Sequence, residues 1–357
     1  MPHTTISVDS FSWNNPDVTA QVLTHFHADH YQGLSRVNLR TKLGISLDEI
    51  VVVELEKEIR LSENCTAIFY DANHCPGAAV VLFKIVLASP DASIFNILHT
   101  GDFRADIDWT TKMAAILPPL HMLYLDDTYI DPKHVFPRQG SILKELHSMA
   151  VKVMTDTSAV PSLPGDRDAS SRKRLFRWLE MANVEPSPPA QTPKVCWIVG
   201  SYTIGKERVW KTIADACGPG TKVYAENMKR HVLRCLGDDV IDGLLTDNPS
   251  KAQIHVVPMN VVNQQGIKEY MESFAHDFQA VVGVKPTGWV YRGGDAYSAN
   301  MLGSPKNWKI GRLRAALYSV PYSEHSSSEE IVKFLKTLFA RPLEIMATVG
   351  STARAQA

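Results

Sequence analysis

Short apolar runs separated by polar turns fill the first third of the chain. The runs that predict strands are ISVDSF, AQVLTHF, EIVVVEL, CTAIFYDA, AAVVLFKIV, IFNILHTGDF and MLYLDDTY. Many of these runs end in a polar or charged residue: Asp9, His25, Asp71, Asp102 and Asp126. Because α/β and sandwich folds build their sites at strand ends, these side chains are candidate site residues.

The pattern changes from about Ser141 onward. SILKELHSMAVKVM predicts an amphipathic helix, and SSEEIVKFLKTLF predicts another with Ser326 or Ser327 as its N-cap. KVCWIVGSYTIGKERVWKTIADAC predicts a strand, a turn and a helix, and QIHVVPM, AVVGVKPTGW and AALYSVPYSEH predict further strands. Two loops rich in Pro, Ser, Asp and Gly, 155–171 and 184–193, flank a basic helix, SRKRLFRWLEMA. The chain is therefore predicted to be α/β.

Composition narrows the class of protein. The net charge is −1, which argues against a chain that coats nucleic acid by bulk charge and leaves room for a local basic groove. The five cysteines are scattered and form no CxxC pair, so the sequence favours neither a disulfide framework nor a cysteine-rich zinc site. No apolar run predicts a membrane span, and we expect a monomer in a reducing compartment.

The segment LTHFHADHYQGL crowds three histidines and an aspartate between His25 and His30. His25 and His27 are two residues apart after an apolar run, so on an extended segment both imidazoles point to one side and can reach one ion. Asp29 and His30 follow where the chain must turn, and they can serve a second ion. A single histidine is usually an ordinary surface or core residue, but this spacing favours a metal site.

Two later turns supply the remaining ligands. His74 in DANHCPG and Asp102 in HTGDFR both follow predicted strands. Nitrogen and carboxylate ligands suit zinc, with manganese or iron as lesser options. Two ions about 4 Å apart suit phosphoryl chemistry. Cys75 lies beside His74 without an evident base, so a small buried residue is the preferred interpretation.

The segment GSYTIGKE predicts an anion site. A strand runs into a turn with hydroxyl groups and then into a helix start that carries Lys206. An ordinary strand-to-helix turn is the alternative. The basic runs SRKRLFRWLE and MKRHVLR could contact phosphates, or they could be solvated helix faces.

A set of motifs between residues 8 and 327 resembles a known family. In chain order they are VDSF, THFHADHYQGLS, DANHCPGA, LHTGDFRAD, HMLYLDDTY, GSYTIGKE, KPTGW and PYSEHSS. THFHADHYQGL resembles the signature of the metallo-β-lactamase superfamily. The full set resembles the DNA cross-link repair nucleases of its β-CASP group, the Artemis/Apollo family, and above all the interstrand cross-link repair exonuclease branch.

The resemblance implies a role for each matching residue. The first zinc site would be His25, His27, His74 and Asp102, and the second would be Asp29, His30, Asp102 and His325. Asp9 would orient the ligand loop, and Asp126 would lie near the metals, with a turn aspartate as the alternative and Asp127 one residue away. The catalytic set is thus Asp9, Asp29, Asp102, Asp126 and His325. A pocket for the 5′-phosphate of a DNA end would use Tyr129, Ser201, Thr203 and Lys206.

The implied fold is an αββα metallo-β-lactamase sandwich, residues 1–130 and 316–357, with an inserted β-CASP α/β domain, residues 131–315. The implied activity is that of a nuclear zinc-dependent 5′-to-3′ DNA exonuclease in interstrand cross-link or double-strand break repair, with Mn²⁺ or Mg²⁺ as options in the second site. Alternatives are an RNA-processing enzyme, a small-ester hydrolase or an inactive DNA-end-binding protein. In this family the DNA-type members carry valine where the RNA-processing members carry a histidine, so the resemblance implies that Val349 favours DNA over RNA.

The sequence departs from the family pattern at two places. Arg36 runs directly into VNLRTKLGI, so a segment that relatives carry is missing there, and the chain stops soon after Val349. Losing an edge strand beside the ligand loop would expose backbone groups and apolar surface. We therefore expect reduced stability, while all predicted ligands are present.

Overall fold

The structure is a computed structural model that describes residues 1–12, 15–32, 50–88, 92–134, 136–155, 195–274, 277–290, 301–338 and 344–348. The segment that follows Arg36, the basic run SRKRLFRWLE and Val349 lie outside these residues. Contacts divide the chain into two compact units. The first is Met1–Phe136 with Tyr291–Ala296 and Ser323–Ala357, and the second is Pro137–Val290 with Tyr297–Tyr322.

Strands and helices occur in both units. The strands are β1 Ile6–Val8, β2 Ala20–Val22, β3 Glu58–Arg60, β4 Cys65–Asp71, β5 Ala79–Val86, β6 Ile94–His99, β7 Met122–Leu125, β8 Val195–Ser201, β9 Val223–Ala225, β10 Leu245–Thr246, β11 Ile254–Pro258, β12 Ala280–Pro286, β13 Lys306–Ile310, β14 Leu313–Val320 and β15 Glu344–Ala347. The helices are α1 Ile107–Ile116, α2 Gln139–Thr155, α3 Glu207–Cys217, α4 Asn227–Arg234, α5 Asp239–Leu244, α6 Gln264–Met271 and α7 Ser328–Leu338. The predicted mixed α/β fold is confirmed.

The first unit is built on a six-stranded sheet in the order β15-β7-β6-β5-β4-β3, with β1 and β2 as a separate parallel pair. Val81, Phe83 and Ile85 of β5 pack on one face with Ile6 and Val22 of that pair. Val80 and Leu82, which point to the opposite face, are buried as well, whereas Val86 is 45% exposed. Both faces are covered along the first part of β5, which explains the apolar run that precedes Lys84.

Two helices of the first unit pack around one aromatic ring. Trp109 of α1 and Phe334 of α7 both contact Phe103, with ring centroids 5.6 Å and 5.2 Å from it. At the start of α7 the Ser327 hydroxyl accepts from the Glu330 amide, and the Glu330 carboxylate accepts from the Ser327 amide. This capping box fixes where α7 begins and confirms Ser327, one of the two predicted N-caps.

The prediction of a strand in EIVVVEL is wrong for its described residues, 50–55. These residues form no strand, and Val51 and Val52 are 74% and 89% exposed. The free edge of β4 is instead taken by β3, which pairs Glu58–Arg60 with Thr66–Ile68. An apolar run without a partner strand cannot satisfy its backbone in a sheet.

The second unit is built on a seven-stranded sheet in the order β10-β9-β11-β8-β12-β14-β13, parallel except for β13. Helices α2 and α3 cover one face, where Trp210 packs with Trp197 of β8. Helix α6 covers the other face, where Ile267 and Met271 pack with Ile198. Layers of this kind are typical of α/β domains.

The division between the units falls after Phe136 and before Ser323. The sequence predicted the domain boundaries near residues 130 and 316. Position 316 lies inside β14, which pairs with β12 along its full length in the second sheet. The assignment of the second unit as a β-CASP domain stays a prediction. Within the described ranges, no helix has the length and apolar character needed to cross a bilayer.

Candidate metal centre

The predicted ligands meet at one edge of the first sheet. β4 and β6 are both antiparallel to β5, and β7 is parallel to β6, so the carboxyl ends of β4, β6 and β7 point the same way. His74, Asp102 and Asp126 follow these three ends. The segment after β2 joins the same edge, because the Ala79 amide donates to the Thr24 carbonyl at 2.9 Å.

Three histidines and one aspartate form the largest of three clusters among the described residues. His25, His27, His74 and Asp102 each place one ligand atom within 4.8 Å of the others. His25 Nε2 lies 3.0 Å from His27 Nδ1 and 3.5 Å from Asp102 Oδ2, and His74 Nε2 lies 3.2 Å from His27 Nδ1. Four ligands bound tetrahedrally at zinc–nitrogen distances would lie about 3.3 Å apart. The donor set and its spacing therefore fit a divalent ion.

Burial keeps the His74 imidazole neutral. His74 is 5% exposed, and its Nδ1 hydrogen bonds with the Glu324 carbonyl at 2.9 Å. Since a carbonyl only accepts, Nδ1 carries the proton and Nε2 presents a lone pair to the cluster. Burial, helped by the neighbouring His325, lowers the pKa of His74 well below its usual value. An unprotonated nitrogen is the form that binds a metal.

Asp102 is a carboxylate at the centre of the histidines. Burial alone would raise its pKa, but hydrogen bonds from His25 and His30 hold the pKa of Asp102 well below its usual range. Its Oδ1 lies 3.3 Å from His30 Nε2, and its Oδ2 lies 3.8 Å from His325 Nε2. The two oxygens thus face different histidines, as a bridging carboxylate requires.

Two further groups adjoin this cluster. One contains Asp9, His25 and His30, and the other contains Asp102, Asp126 and His325. Of the second predicted ligand set, His30 and His325 each lie within 4 Å of Asp102, but they belong to different groups. Asp29 lies outside all three groups: its side chain is 78% exposed, and its Oδ2 is 3.9 Å from His30 Nε2. Its role as a ligand stays a prediction.

Asp9 bonds with Thr24 and His30, at the two ends of the segment that carries His25 and His27. Its Oδ1 accepts from the Thr24 amide at 2.8 Å, and its Oδ2 accepts from the Thr24 hydroxyl at 2.6 Å. The same Oδ2 lies 2.7 Å from His30 Nδ1. Asp9 has a φ of +49°, a conformation that aspartate tolerates better than most residues. These contacts match the orienting role predicted for it and turn His30 Nε2 toward Asp102.

His30 lies between the carboxylates of Asp9 and Asp102. Burial opposes its protonation, but hydrogen bonds to Asp102 and Asp9 raise the pKa of His30 to about 10. A site that attracts a proton this strongly between two carboxylates also attracts a cation.

Asp126 is buried at 1% exposure and is directed at His325. Its Oδ2 lies 2.9 Å from His325 Nδ1, and its Oδ1 accepts from the amide and hydroxyl of Thr128. The neighbouring Asp127 is half-buried. Asp126 thus orients His325, and the alternative of a simple turn aspartate describes only its contacts with Thr128.

An ion pair that the sequence analysis missed fixes the segment bearing His325. Arg104 is 1% exposed, and its guanidinium donates to the Ser323 carbonyl at 2.7 Å and pairs with Glu330 at 2.8 Å. An arginine two residues after Asp102, with a glutamate in the first turn of α7, was the available signal. Arg104 therefore couples the Asp102 turn to the His325 segment.

The predicted phosphate residues lie in two places. Ser201, Thr203 and Lys206 share the turn between β8 and α3 in the second unit, whereas Tyr129 is in the first unit, 5.9 Å from the His325 ring. The Lys206 ammonium lies 4.9 Å from the Tyr202 ring centroid. Their joint action on one phosphate stays a prediction.

The sequence also did not single out Lys229, whose ammonium lies beside that turn. The Lys229 ammonium contacts the Glu207 carboxylate at 2.8 Å, the Ser201 hydroxyl at 3.1 Å and the Tyr202 carbonyl at 2.9 Å. The sequence indicated only that the run MKRHVLR, which contains Lys229, could contact phosphates. Its three donors are used inside the protein. Lys206, at the start of α3, is 5% exposed.

Comparison with known proteins places these features in a family. Residues 239–353 match the family described as DNA repair metallo-beta-lactamase. The chain is 31% identical to the DNA cross-link repair 1A protein of Gallus gallus, over 98% of this chain and 32% of that protein. It is 31% identical to the DNA cross-link repair protein SNM1 of Arabidopsis thaliana, over 98% of this chain and 65% of that protein. The chain is 24% identical to the 5′ exonuclease Apollo of Mus musculus, over 98% of this chain and 54% of that protein. The chain spans between 32% and 65% of the length of these relatives.

Proposed function

Because the chain belongs to the DNA repair metallo-β-lactamase family, we propose that it is a metal-dependent DNA nuclease that hydrolyses phosphodiesters from a 5′-phosphorylated end. The observation that carries the proposal is the cluster of His25, His27, His74 and Asp102 at one sheet edge. Relatives named as cross-link repair proteins and as a 5′ exonuclease support the substrate and the polarity. Their names also support a nuclear, repair-linked role.

Zinc is the proposed ion at the first cluster, because three imidazoles and one carboxylate are a common zinc ligand set. His30, Asp102 and His325, with the predicted Asp29, would hold a second ion, which could be zinc, Mn²⁺ or Mg²⁺. When bound, such ions neutralise charge on phosphate oxygens and make water acidic enough to attack at neutral pH.

The residues of the chain prepare this chemistry. The Glu324 carbonyl fixes the tautomer of His74, and Asp9 fixes the orientation of His30. Asp126 holds His325 Nδ1, so the ring directs Nε2 toward Asp102. Held in place before substrate arrives, these groups need no reorganisation during the reaction.

Recognition of the DNA end is assigned to the turn with Ser201, Thr203 and Lys206, together with Tyr129. The chain as a whole has a net charge of −1, so binding depends on local cations. Lys206 supplies the charge, and hydroxyl groups supply hydrogen bonds to phosphate oxygens.

Substrate comparison tests the proposed function. Purified protein is incubated with 3′-labelled single-stranded DNA carrying a 5′-phosphate or a 5′-hydroxyl, with the matching RNA and with a glutathione thioester, each with and without a chelator. We expect chelator-sensitive shortening of DNA, faster with the 5′-phosphate. Hydrolysis of the thioester or of RNA alone would sink the proposal.

A further inference from the structure

A cavity of about 520 Å³ opens in the second unit beside the β8–α3 turn. Its walls come from the carboxyl ends of β8 and β11 and from the loop and helix that follow β9. The residues that matter for its chemistry are Tyr202, Thr203, Glu226, Met228, Met259 and Asn260. Its volume falls in the range of small-molecule sites, about 300–1,000 Å³.

The topology of the sheet marks this position as a ligand site. β8 and β11 are parallel neighbours. The chain leaves β8 through α3 on one face and reaches β9 on one side, while it leaves β11 through α6 on the other face and reaches β12 on the opposite side. The two connections thus leave the ends of β8 and β11 toward opposite faces of the sheet, and each passes the other strand before it returns. In open α/β sheets, ligands bind at such a switch point.

The cavity walls suit a flat apolar ring with a polar edge. Tyr202 and Met228 are 49% and 48% exposed, so each offers apolar surface to a ligand. Met259 lies against the floor because position 200 is glycine: a Cβ there would be 2.7 Å from its sulfur. Tyrosine and methionine favour aromatic partners, and Glu226 and Asn260 can bond with the edge of a ring.

The cation of the cavity is not directed at a ligand. Lys229 gives its three donors to Ser201, Tyr202 and Glu207. A phosphate group would have to displace the Glu207 carboxylate to bind there. The recognised part of the ligand is therefore an uncharged ring, and a phosphate would bind elsewhere.

We infer that this cavity binds one nucleobase, through stacking on Tyr202 and contact with Met228 and Met259. The inference rests on the proposed function, because Thr203 lines the cavity and also belongs to the turn assigned to the 5′-phosphate. Lys206, in the same turn, lies 4.9 Å from the Tyr202 ring. One turn thus contacts the phosphate and the base of a nucleic-acid strand.

An abasic scan of the full chain tests the inference. Single strands with a 5′-phosphate and hydrolysis-resistant phosphorothioate links carry one abasic residue at successive positions, and binding is followed by fluorescence anisotropy. We expect one position to weaken binding about 5- to 100-fold, the contribution of one stacked base. Other positions should change it much less.

Charge-matched variants locate the effect. Met228→Glu should bind intact and abasic strands equally, because it places a charge on an apolar wall without touching the phosphate turn. Val240→Glu adds the same charge on the next helix, where Val240 is 64% exposed, and should keep the position dependence. Met228→Leu should also keep it.

Calorimetry with thymidine and deoxyadenosine separates a free nucleoside from a strand. If either nucleoside binds to wild type and not to Met228→Glu, the cavity is a nucleobase site that also accepts a free nucleoside. A flat abasic scan together with no such binding overturns the inference. If digestion persists while the scan is flat and neither nucleoside binds, only the inference fails. If the scan shows the position but no metal-dependent digestion occurs, only the proposed function fails.

Discussion

The Nδ1 atom of His74 lies 2.9 Å from the carbonyl oxygen of Glu324, 250 residues later in the chain. This hydrogen bond ties the turn after β4 to the segment that leads into α7. It also sets the tautomer that directs His74 Nε2 at the ligand cluster. Residues far apart in sequence thus fix the protonation state of a candidate ligand, which makes their effects testable.

Asp9→Asn should weaken metal binding without unfolding the first unit. Asparagine keeps the φ of +49° accessible but loses the charge that faces Thr24 and His30. Loss of such an orienting carboxylate costs roughly 10- to 100-fold in affinity. Competition with a chromophoric zinc chelator measures it. The exposed Asp17→Asn serves as the control, and equal zinc affinity in both variants would contradict the role of Asp9.

Asp29→Asn should separate the two proposed ions. Asp29 is 78% exposed and is not part of the four-residue cluster. We expect the variant to retain one tightly bound ion and to lose DNA digestion by about a hundredfold, since both ions act on the phosphate. Metal content by mass spectrometry and digestion rate are measured on one sample. Digestion at the wild-type rate would remove Asp29 from the site.

Arg104→Met should destabilise the first unit. The variant leaves Glu330 and the Ser323 carbonyl without their buried partner. Breaking a buried ion pair costs about 3–5 kcal/mol, measured by urea unfolding. Lys112→Met breaks an exposed pair with Glu56 and should cost less than about 1 kcal/mol. Similar losses in the two variants would show that the Arg104 pair has no special role.

His99 should make stability depend on pH. Burial lowers the pKa of His99 to about 4, below the value of about 6.5 for an unfolded histidine. The unfolded chain therefore takes up the proton first. Stability from this group is complete above pH 6.5 and is lost as the pH falls toward 4.

Unfolding in urea and chelator at pH 7 and pH 5 measures this contribution. From pH 7 to pH 5, the free energy of unfolding of wild type should fall by about 2 kcal/mol more than that of His99→Gln. His121 is exposed, and the free energy of unfolding of His121→Gln should fall by as much as that of wild type. The same pH dependence in wild type and His99→Gln would refute the assignment.

The proximity of the four residues of the first cluster could be predicted from sequence, because histidines and aspartates follow apolar strands at informative spacings. His25 and His27 lie two apart on an extended segment, and His74 and Asp102 follow β4 and β6. The parallel direction of β4, β6 and β7 brings these ends together. Local pattern and sheet geometry are enough for that part of the site.

Features that depend on tertiary pairing were not predictable. The apolar run at 50–55 carries a strong strand signal, yet it forms no strand, and β3 is the segment that pairs with residues 66–68 of β4. Arg104 is buried and pairs with Glu330, which lies 226 residues away. The exposed position of Asp29 likewise depends on how the chain turns after His27, which residue type and spacing do not fix.

Metal content and digestion measured together test the central claim most directly. Wild type and Asp102→Asn are stripped with chelator and titrated with zinc, and bound metal and shortening of 5′-phosphorylated DNA are measured at each step. We predict that digestion by wild type rises with bound metal, and that Asp102→Asn binds less than wild type and digests at most about 1% as fast. Digestion by the metal-free chain, or equal digestion by Asp102→Asn, would contradict the account.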